Sequence, residues 1–171
     1  PKMISIGVSI SKKLDGSILK QSDIKFMIQE AKLQISENYR NQNILHIIIN
    51  NYKINGIDYS ILPNEPKCFL ISLDILFICL PNEVILDFKN IFSNHNISIN
   101  QIICSSYAKC INHKKDLNLN GNISFIDIGF NKTSLISFHN EKVKSLDILS
   151  IGGNHITKDI SQILNIDLEQ S

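Results

Sequence analysis

Two glycine-bearing turns, each set directly after an apolar run, constrain this chain more than any other feature. The first is Ile123-Ser124-Phe125-Ile126-Asp127-Ile128-Gly129-Phe130-Asn131-Lys132-Thr133-Ser134. The second is Ile148-Leu149-Ser150-Ile151-Gly152-Gly153-Asn154-His155-Ile156-Thr157-Lys158-Asp159-Ile160. In the first, a strand-like run reaches an acid just before a turn lined by Gly and Thr. In the second, a strand-like run enters Gly-Gly and then a helical pattern. Glycines at such points let backbone N–H groups approach a phosphate or a base, since no Cβ intervenes. A carboxylate at a strand end is also suited to Mg²⁺, which binds through few carboxylates and keeps several waters. The plainer alternative is a β-hairpin with an ordinary tight turn, in which Asp127 merely ends a strand.

The pair of patterns, D-x-G-x-x-x-T and then I-x-G-G-x-x-I-T-x-D-I, resembles the second phosphate loop and following helix of the actin/Hsp70-like ATPase superfamily. Within that superfamily, Gly152 to Ile160 is similar to the FtsA family of bacterial cell-division proteins. The resemblance implies an α/β fold: an actin-like (ribonuclease H-like) ATPase lobe with a shortened α+β inserted subdomain. It places the first part of the large lobe at residues 1–40, the insert at 41–105, and the second part of the lobe, with its phosphate-loop-like hairpin, at 106–171. The implied cofactors are ATP and Mg²⁺. Asp127 would organise the metal and the attacking water, and Gly129, Asn131 and Thr133 would line the phosphates. Gly152 and Gly153 would face the nucleotide, with Gly153 against the adenosine.

The functional expectation is a cell-division adaptor. It would help anchor the FtsZ ring to the cytoplasmic membrane, recruit divisome proteins and self-associate into filaments, with ATP binding regulating assembly. Its expected location is cytoplasmic, at the inner face of the membrane at the division site. Membrane contact would run through a C-terminal helix beyond Ser171, and a first phosphate loop would precede Pro1. Other actin/Hsp70-like ATPases, of pilus-assembly or chaperone type, remain open, as does a decayed copy that binds no nucleotide. The chain departs from the family pattern at Phe130-Asn131-Lys132, where Gly-Gly-Thr is usual, and at Ser134, where Asp is usual. Asn131 is the mildest departure, because Asn enters left-handed backbone conformations readily.

Bulk properties narrow the function classes. With 17 basic against 16 acidic residues the net charge is +1, which gives no electrostatic footprint for nucleic acid. Lys12-Lys13 and Lys114-Lys115 are expected to be solvated loop charges. The longest apolar run, Ile75 to Leu80, falls well short of the roughly 20 residues a membrane span needs. The N-terminus has no charged segment followed by an apolar core, so no signal peptide is expected. Cys68, Cys79, Cys104 and Cys110 lack C-x-x-C spacing and lie in apolar patterns, which predicts buried reduced thiols of a cytosolic protein rather than a metal site. Cys104 with His95 or His113, and Ser105-Ser106, have no surrounding catalytic motif.

Periodicity supplies the element expectations. Met3 to Ile10 reads as a strand, and Ser22 caps a helix reaching Glu37, with Ile24, Met27, Ile28, Ala31 and Ile35 on its packed face. Ile44 to Ile49 reads as a strand in which His46 is a core or edge residue, and Asn50 to Pro66 as a loop. Cys68 to Leu80 is the longest strand. Its Phe69, Ile71, Leu73, Ile75, Phe77 and Cys79 face the core, and Ser72 and Asp74 the wetter side. A helix opens at Pro81 with Val84, Ile85, Phe88, Ile91 and Phe92 as its buried stripe. Ile97 to Ile103 reads as a strand, Ser105 to Cys110 as a short helix, and Ile111 to Asn120 as a loop. Ser134 to Phe138 and Val143 to Leu149 read as a hairpin, and Ile156 to Leu164 as a helix with one apolar face. Against the family, a strand and a helix are missing between Glu37 and Ile44.

Overall fold

A computed structural model describes residues 3–116 and 121–167, in two compact units divided between Ile103 and Cys104. The first unit holds a four-stranded antiparallel sheet built from β1 (Ile4–Lys13), β2 (Gln42–Ile54), β3 (Ile57–Tyr59) and β4 (Leu70–Pro81), in the order β1-β4-β2-β3. Helix α1 (Gln21–Asn38) connects β1 to β2, and α2 (Asn82–Ser93) follows β4.

The core follows from two periods meeting on one face. In β4, Ile71, Leu73, Ile75, Phe77 and Cys79 alternate along the strand and are all buried. In α1, Ile24, Met27, Ala31 and Ile35 recur at helical spacing and join them in one cluster, with Ile10 from β1 and Ile54 from β2. Ala31 has no side chain beyond Cβ, which lets the helix backbone come close to the sheet. The opposite face is polar at one end, where Ser9 Oγ donates to Asp74 at 2.6 Å and Ser11 and Ser72 hydroxyls lie 2.8 Å apart. At its other end Leu76, Ile78 and Leu80 are buried, beside α2 and its buried Ile85.

Several expectations are corrected here. β1 belongs to the same sheet as the middle segment, pairing with β4 over ten positions from Ile4↔Cys79 to Lys13↔Leu70, and α1 packs on that sheet. No unit boundary falls at residue 40, since the first compact unit runs to Ile103. The helix starts one residue before Ser22, and Asp23 does the capping work: the Lys20 N–H donates to its carboxylate at 3.0 Å. Asn50 to Ile54 continues strand β2, and the expected loop is in part a β-hairpin. Its turn, Asn55-Gly56, has φ of 51° and 86°, the two left-handed residues that a tight hairpin requires. Phe69 is 64% exposed although its neighbours on that face are buried; its ring lies over Gly16, where a Cβ would sit 2.7 Å away.

Ile97–Ile103 forms no strand. A strand needs a paired edge, and β1 and β3, which hold the two edges of the sheet, do not pair with it. The α2 stripe is also largely uncovered: Ile85 is buried, but Phe88, Ile91 and Phe92 are exposed.

The second unit is a meander of β5 (Ile123–Ile128), β6 (Thr133–His139) and β7 (Lys142–Leu149), with α3 (Ser105–Asp116) before it and α4 (Gly153–Leu164) after it. α3 is longer than expected and runs through residues placed in a loop; positions 117–120 of that loop lie outside the described residues. Ile136 and Phe138 of β6, Val143 and Leu146 of β7, and Cys110 of α3 are buried. Phe125 meets Phe138 edge to face with centroids 5.9 Å apart. Ile156, Ile160, Ile163 and Leu164 of α4 share a face as expected, but all are exposed.

All four cysteines are buried as expected, and burial pushes the Cys79 and Cys110 thiols up to about 11. His46, at a register shift in β2, has its pKa lowered by burial. Among the described residues no helix is long and apolar enough to cross a membrane.

The Asn55 side chain stitches the hairpin to β4: its amide donates to Lys67 O at 2.9 Å, and its carbonyl accepts from Phe69 N–H (2.8 Å) and Leu70 N–H (3.2 Å). Asn55→Gly keeps the left-handed turn but removes all three bonds. Urea denaturation is expected to show a loss of about 1–3 kcal/mol; a variant as stable as the wild type would rule out this stitching role.

Candidate functional site

The two glycine turns form one joint in the second unit. Gly129 N–H donates to Lys132 O at 2.8 Å, closing a two-residue turn at Phe130-Asn131 between β5 and β6. The start of α4 docks on that turn: Gly153 N–H donates to Gly129 O (2.9 Å) and Asn154 N–H to Phe130 O (2.8 Å). Two side chains reinforce the contact. Thr133 Oγ1 donates to Ile151 O at 2.7 Å, and Asn154 Nδ2 to Asn131 Oδ1 at 3.2 Å. His155 folds back so that Nδ1 accepts from the Gly152 N–H at 3.1 Å.

Gly152 is held to glycine by space rather than by backbone angle, since its φ of −151° is ordinary extended backbone. A Cβ there would lie 2.4 Å from Gly129 O, 2.6 Å from Phe130 O and 2.7 Å from Lys132 N, all of them backbone atoms. At Gly153 the nearest such atom is 3.9 Å away. Every residue from Gly129 to Thr133 has an ordinary φ, so Asn131 uses none of its left-handed tolerance.

Asp127 faces α3. Its Oδ2 accepts from Ser106 Oγ at 2.9 Å, and Lys109 Nζ lies 3.2 Å from Oδ1 and 3.3 Å from Oδ2. Ser106 Oγ also lies 3.0 Å from the buried Ser134 Oγ, opposite Asp127 across the β5–β6 ladder. The Ser106 hydrogen bond, with help from Lys109, holds the Asp127 carboxyl below the usual carboxylate value. Asp127, Ser106 and Lys109, with Cys110, His113, Phe125, Ile126 and Ile136, line a small cleft of about 110 Å³.

The sequence-predicted residues therefore divide in two. Gly129, Asn131, Thr133, Gly152 and Gly153 come together in the turn joint. Asp127 sits in a separate cluster with Ser106, Lys109 and Ser134. Sequence reasoning missed Ser106 and Lys109, although their i, i+3 spacing on one helix is a detectable signal for two groups meeting one carboxylate.

The fit to a nucleotide is uneven. Among the described residues, the N–H groups of Phe130 and Asn131 have no acceptor, so an exposed turn with two donors is open to a phosphate oxygen. The first N–H groups of α4 are already used by the turn carbonyls. Asp127, lying against a lysine, does not fit Mg²⁺ as arranged, and no cluster of three metal-binding side chains occurs among the described residues.

Comparison with known proteins bears on the fold. A solved structure described as the PilM-PilN type IV pilus biogenesis complex contains a chain that matches with a TM-score of 0.64 at 14% identity. The match covers 98% of this chain and 46% of that one, so the present chain spans less than half of its structural relative. The shared fold is the actin-like α/β fold. A family model for cell division protein FtsA matches residues 124–171, the segment containing the turn joint. No curated protein matches in sequence.

Gly152→Ala is expected to cost about 1–3 kcal/mol, because a methyl group there overpacks against backbone that cannot yield like a side chain. Gly153→Ala should be neutral within about 1 kcal/mol. Thermal denaturation of the two variants side by side checks this; equal stability would show that the joint is loose.

The Asp127 cluster makes a pH-dependent prediction. A carboxyl whose pKa is lower in the folded than in the unfolded state adds stability above its unfolded value, ordinarily 3.8. That contribution fades as pH falls through the depressed folded value. Asp127→Asn should therefore cost a few tenths to about 1 kcal/mol at neutral pH. The gap to wild type should shrink as the pH drops below about 4. A gap that stays constant from neutral pH through that range would show that the charge of Asp127 is immaterial.

Proposed function

We propose that this chain is part of an actin-like adaptor of the FtsA type, whose nucleotide site includes the turn Gly129–Thr133. One observation carries this reading: the FtsA family match falls on residues 124–171, where the two glycine turns lock together. The Phe130 and Asn131 N–H groups would hold phosphate oxygens, with Lys132 supplying positive charge beside them. The turn also carries the carbonyls that receive the first N–H groups of α4. A ligand that shifts the turn would therefore shift α4 and its exposed face of Ile156, Ile160, Ile163 and Leu164. This is how nucleotide binding would bias assembly with little need for turnover. ATP, when bound, supplies the phosphate charge that the turn reads, and no hydrolytic step is assigned to Asp127.

Within this reading the inserted subdomain runs from β1 to β4 and includes α1, since one sheet contains the four strands and α1 packs on it. The division adaptor role, with FtsZ, other divisome proteins and the inner face of the membrane as its setting, belongs to the whole protein. A second reading is supported by a different observation. The pilus-complex chain matches across 98% of this chain, which favours an assembly adaptor of a pilus machine.

Two measurements on the full-length protein test these readings. Calorimetry with ATP is expected to give saturable binding that weakens when Asn131→Pro removes one of the two turn donors. An absence of binding by the wild type would defeat the nucleotide reading. Co-sedimentation with FtsZ polymers is expected for the division adaptor; capture by the cytoplasmic segment of a PilN-type protein, with no FtsZ binding, would select the pilus reading.

A further inference from the structure

The outer edge of β1 presents an unprotected strand in the first unit, and its chemistry fits a second copy of this chain. The hydrogen-bonding parity of β1 can be derived from its flank. Leu14 N–H donates to Phe69 O at 2.8 Å, continuing the register Lys13↔Leu70. In an antiparallel ladder, alternate residues exchange both bonds with the partner strand. The even-numbered residues of β1 therefore bond to β4, while the N–H and C=O groups of Ser5, Gly7, Ser9, Ser11 and Lys13 point away from the sheet. Among the described residues nothing pairs with them.

Natural edges are usually blunted by proline, a bulge, an inward charge or a short strand. β1 runs for ten residues without a register shift, contains no proline and carries charge only at Lys12 and Lys13. A Cβ placed at Gly7 would meet nothing within 4 Å.

Three observations select the occupant. The lysines sit at one end, so a parallel copy would stack like charges, whereas an antiparallel copy puts them at opposite ends. Parity then allows a two-fold axis over Val8 or over Ser9, the two registers that use nearly the whole strand. Finally, α1 offers a matching side chain. Lys12 Nζ lies 2.9 Å from the Asp23 carboxylate and 4.8 Å from the Phe26 ring centroid, which sets α1 over this edge. From Lys12 to Val8 the strand advances about 13 Å, roughly nine residues of helix. That brings the axis close to Leu33, which is on the same stripe as Phe26 and is 62% exposed.

We propose that two copies of this chain associate through antiparallel β1–β1 pairing about a two-fold axis near Val8, forming a continuous eight-stranded sheet with Leu33 facing Leu33 on the helical side. Such an isologous contact closes at two copies and does not propagate. It is independent of the nucleotide reading, which concerns the other unit.

Sedimentation equilibrium of the 171-residue chain over a concentration series tests it, with circular dichroism melts as a check on folding. The wild type is expected to dimerise. Gly7→Pro removes an outward N–H without touching the β4 ladder, and Leu33→Glu places a charge at the axis; both should be monomers that still melt cooperatively. Val8→Cys, opposite its own copy in a non-hydrogen-bonded pair, should form an intermolecular disulfide on oxidation. A monomeric wild type overturns the proposal, as does a dimer that persists in both variants without the Val8→Cys cross-link. If Gly7→Pro fails to fold, the exposed Leu33→Glu change and the cross-link decide the matter.

Discussion

β4 is the strand on which the first unit depends. It lies between β1 and β2, pairs with both over almost its whole length, and has residues from Ile75 to Leu80 buried on both faces. A strand flanked and covered in this way reads as an unbroken apolar run, which is why Ile75-Leu76-Phe77-Ile78-Cys79-Leu80 carries no polar residue. At its other end only one face is covered, and there Ser72 and Asp74 return to the pattern. The change from alternating to continuous apolar residues marks where α2 begins to shield the second face. One strand thus records in its composition both the helix that packs below it and the one that packs above.

In the second unit the governing constraint is a shortage of space. A Cβ at Gly152 would collide with three backbone atoms of the β5–β6 turn, and α4 starts from that close approach. The helix is therefore positioned by backbone-to-backbone hydrogen bonds rather than by burial, because none of its residues is buried. A helix of this length held by its first turn gains little from intrinsic propensity. Its orientation therefore follows the turn whose carbonyls receive its first N–H groups.

The sequence revealed local pattern well and coverage poorly. The α1 stripe, the alternating face of β4 and the paired glycine turns were legible because each is a short-range regularity with a single structural solution. The Asn55-Gly56 hairpin was equally legible in principle, but the polar run around it disguised a strand continuing through Asn50 and Asn51. Ile97–Ile103 has the composition of a strand and forms none, since composition cannot supply an edge to pair with. The stripes of α2 and α4 are apolar and exposed for the same reason: periodicity identifies a face that can be buried, not what buries it. The Asp127 cluster was hidden more deeply, because Ser106 and Lys109 precede it by about twenty positions and meet it only through the packing of α3.

Asp127 sits at the end of a strand before a glycine turn and is also tied to a helix. Its place at the end of a strand before a glycine turn matches a metal-organising acid, yet here it accepts hydrogen bonds from Ser106 and Lys109. The pair with Lys109 is solvent-facing, and exposed pairs of this kind contribute little net stability. Ser106 is different, because its hydroxyl also meets the buried Ser134 and ties α3 to the sheet. Ser134 lies directly opposite Asp127 on the neighbouring strand, where a second carboxylate would repel it and raise the pKa of one of the two. Serine at that position leaves a neutral hydroxyl instead. The cluster therefore holds a single negative charge, which the one lysine beside it is enough to balance.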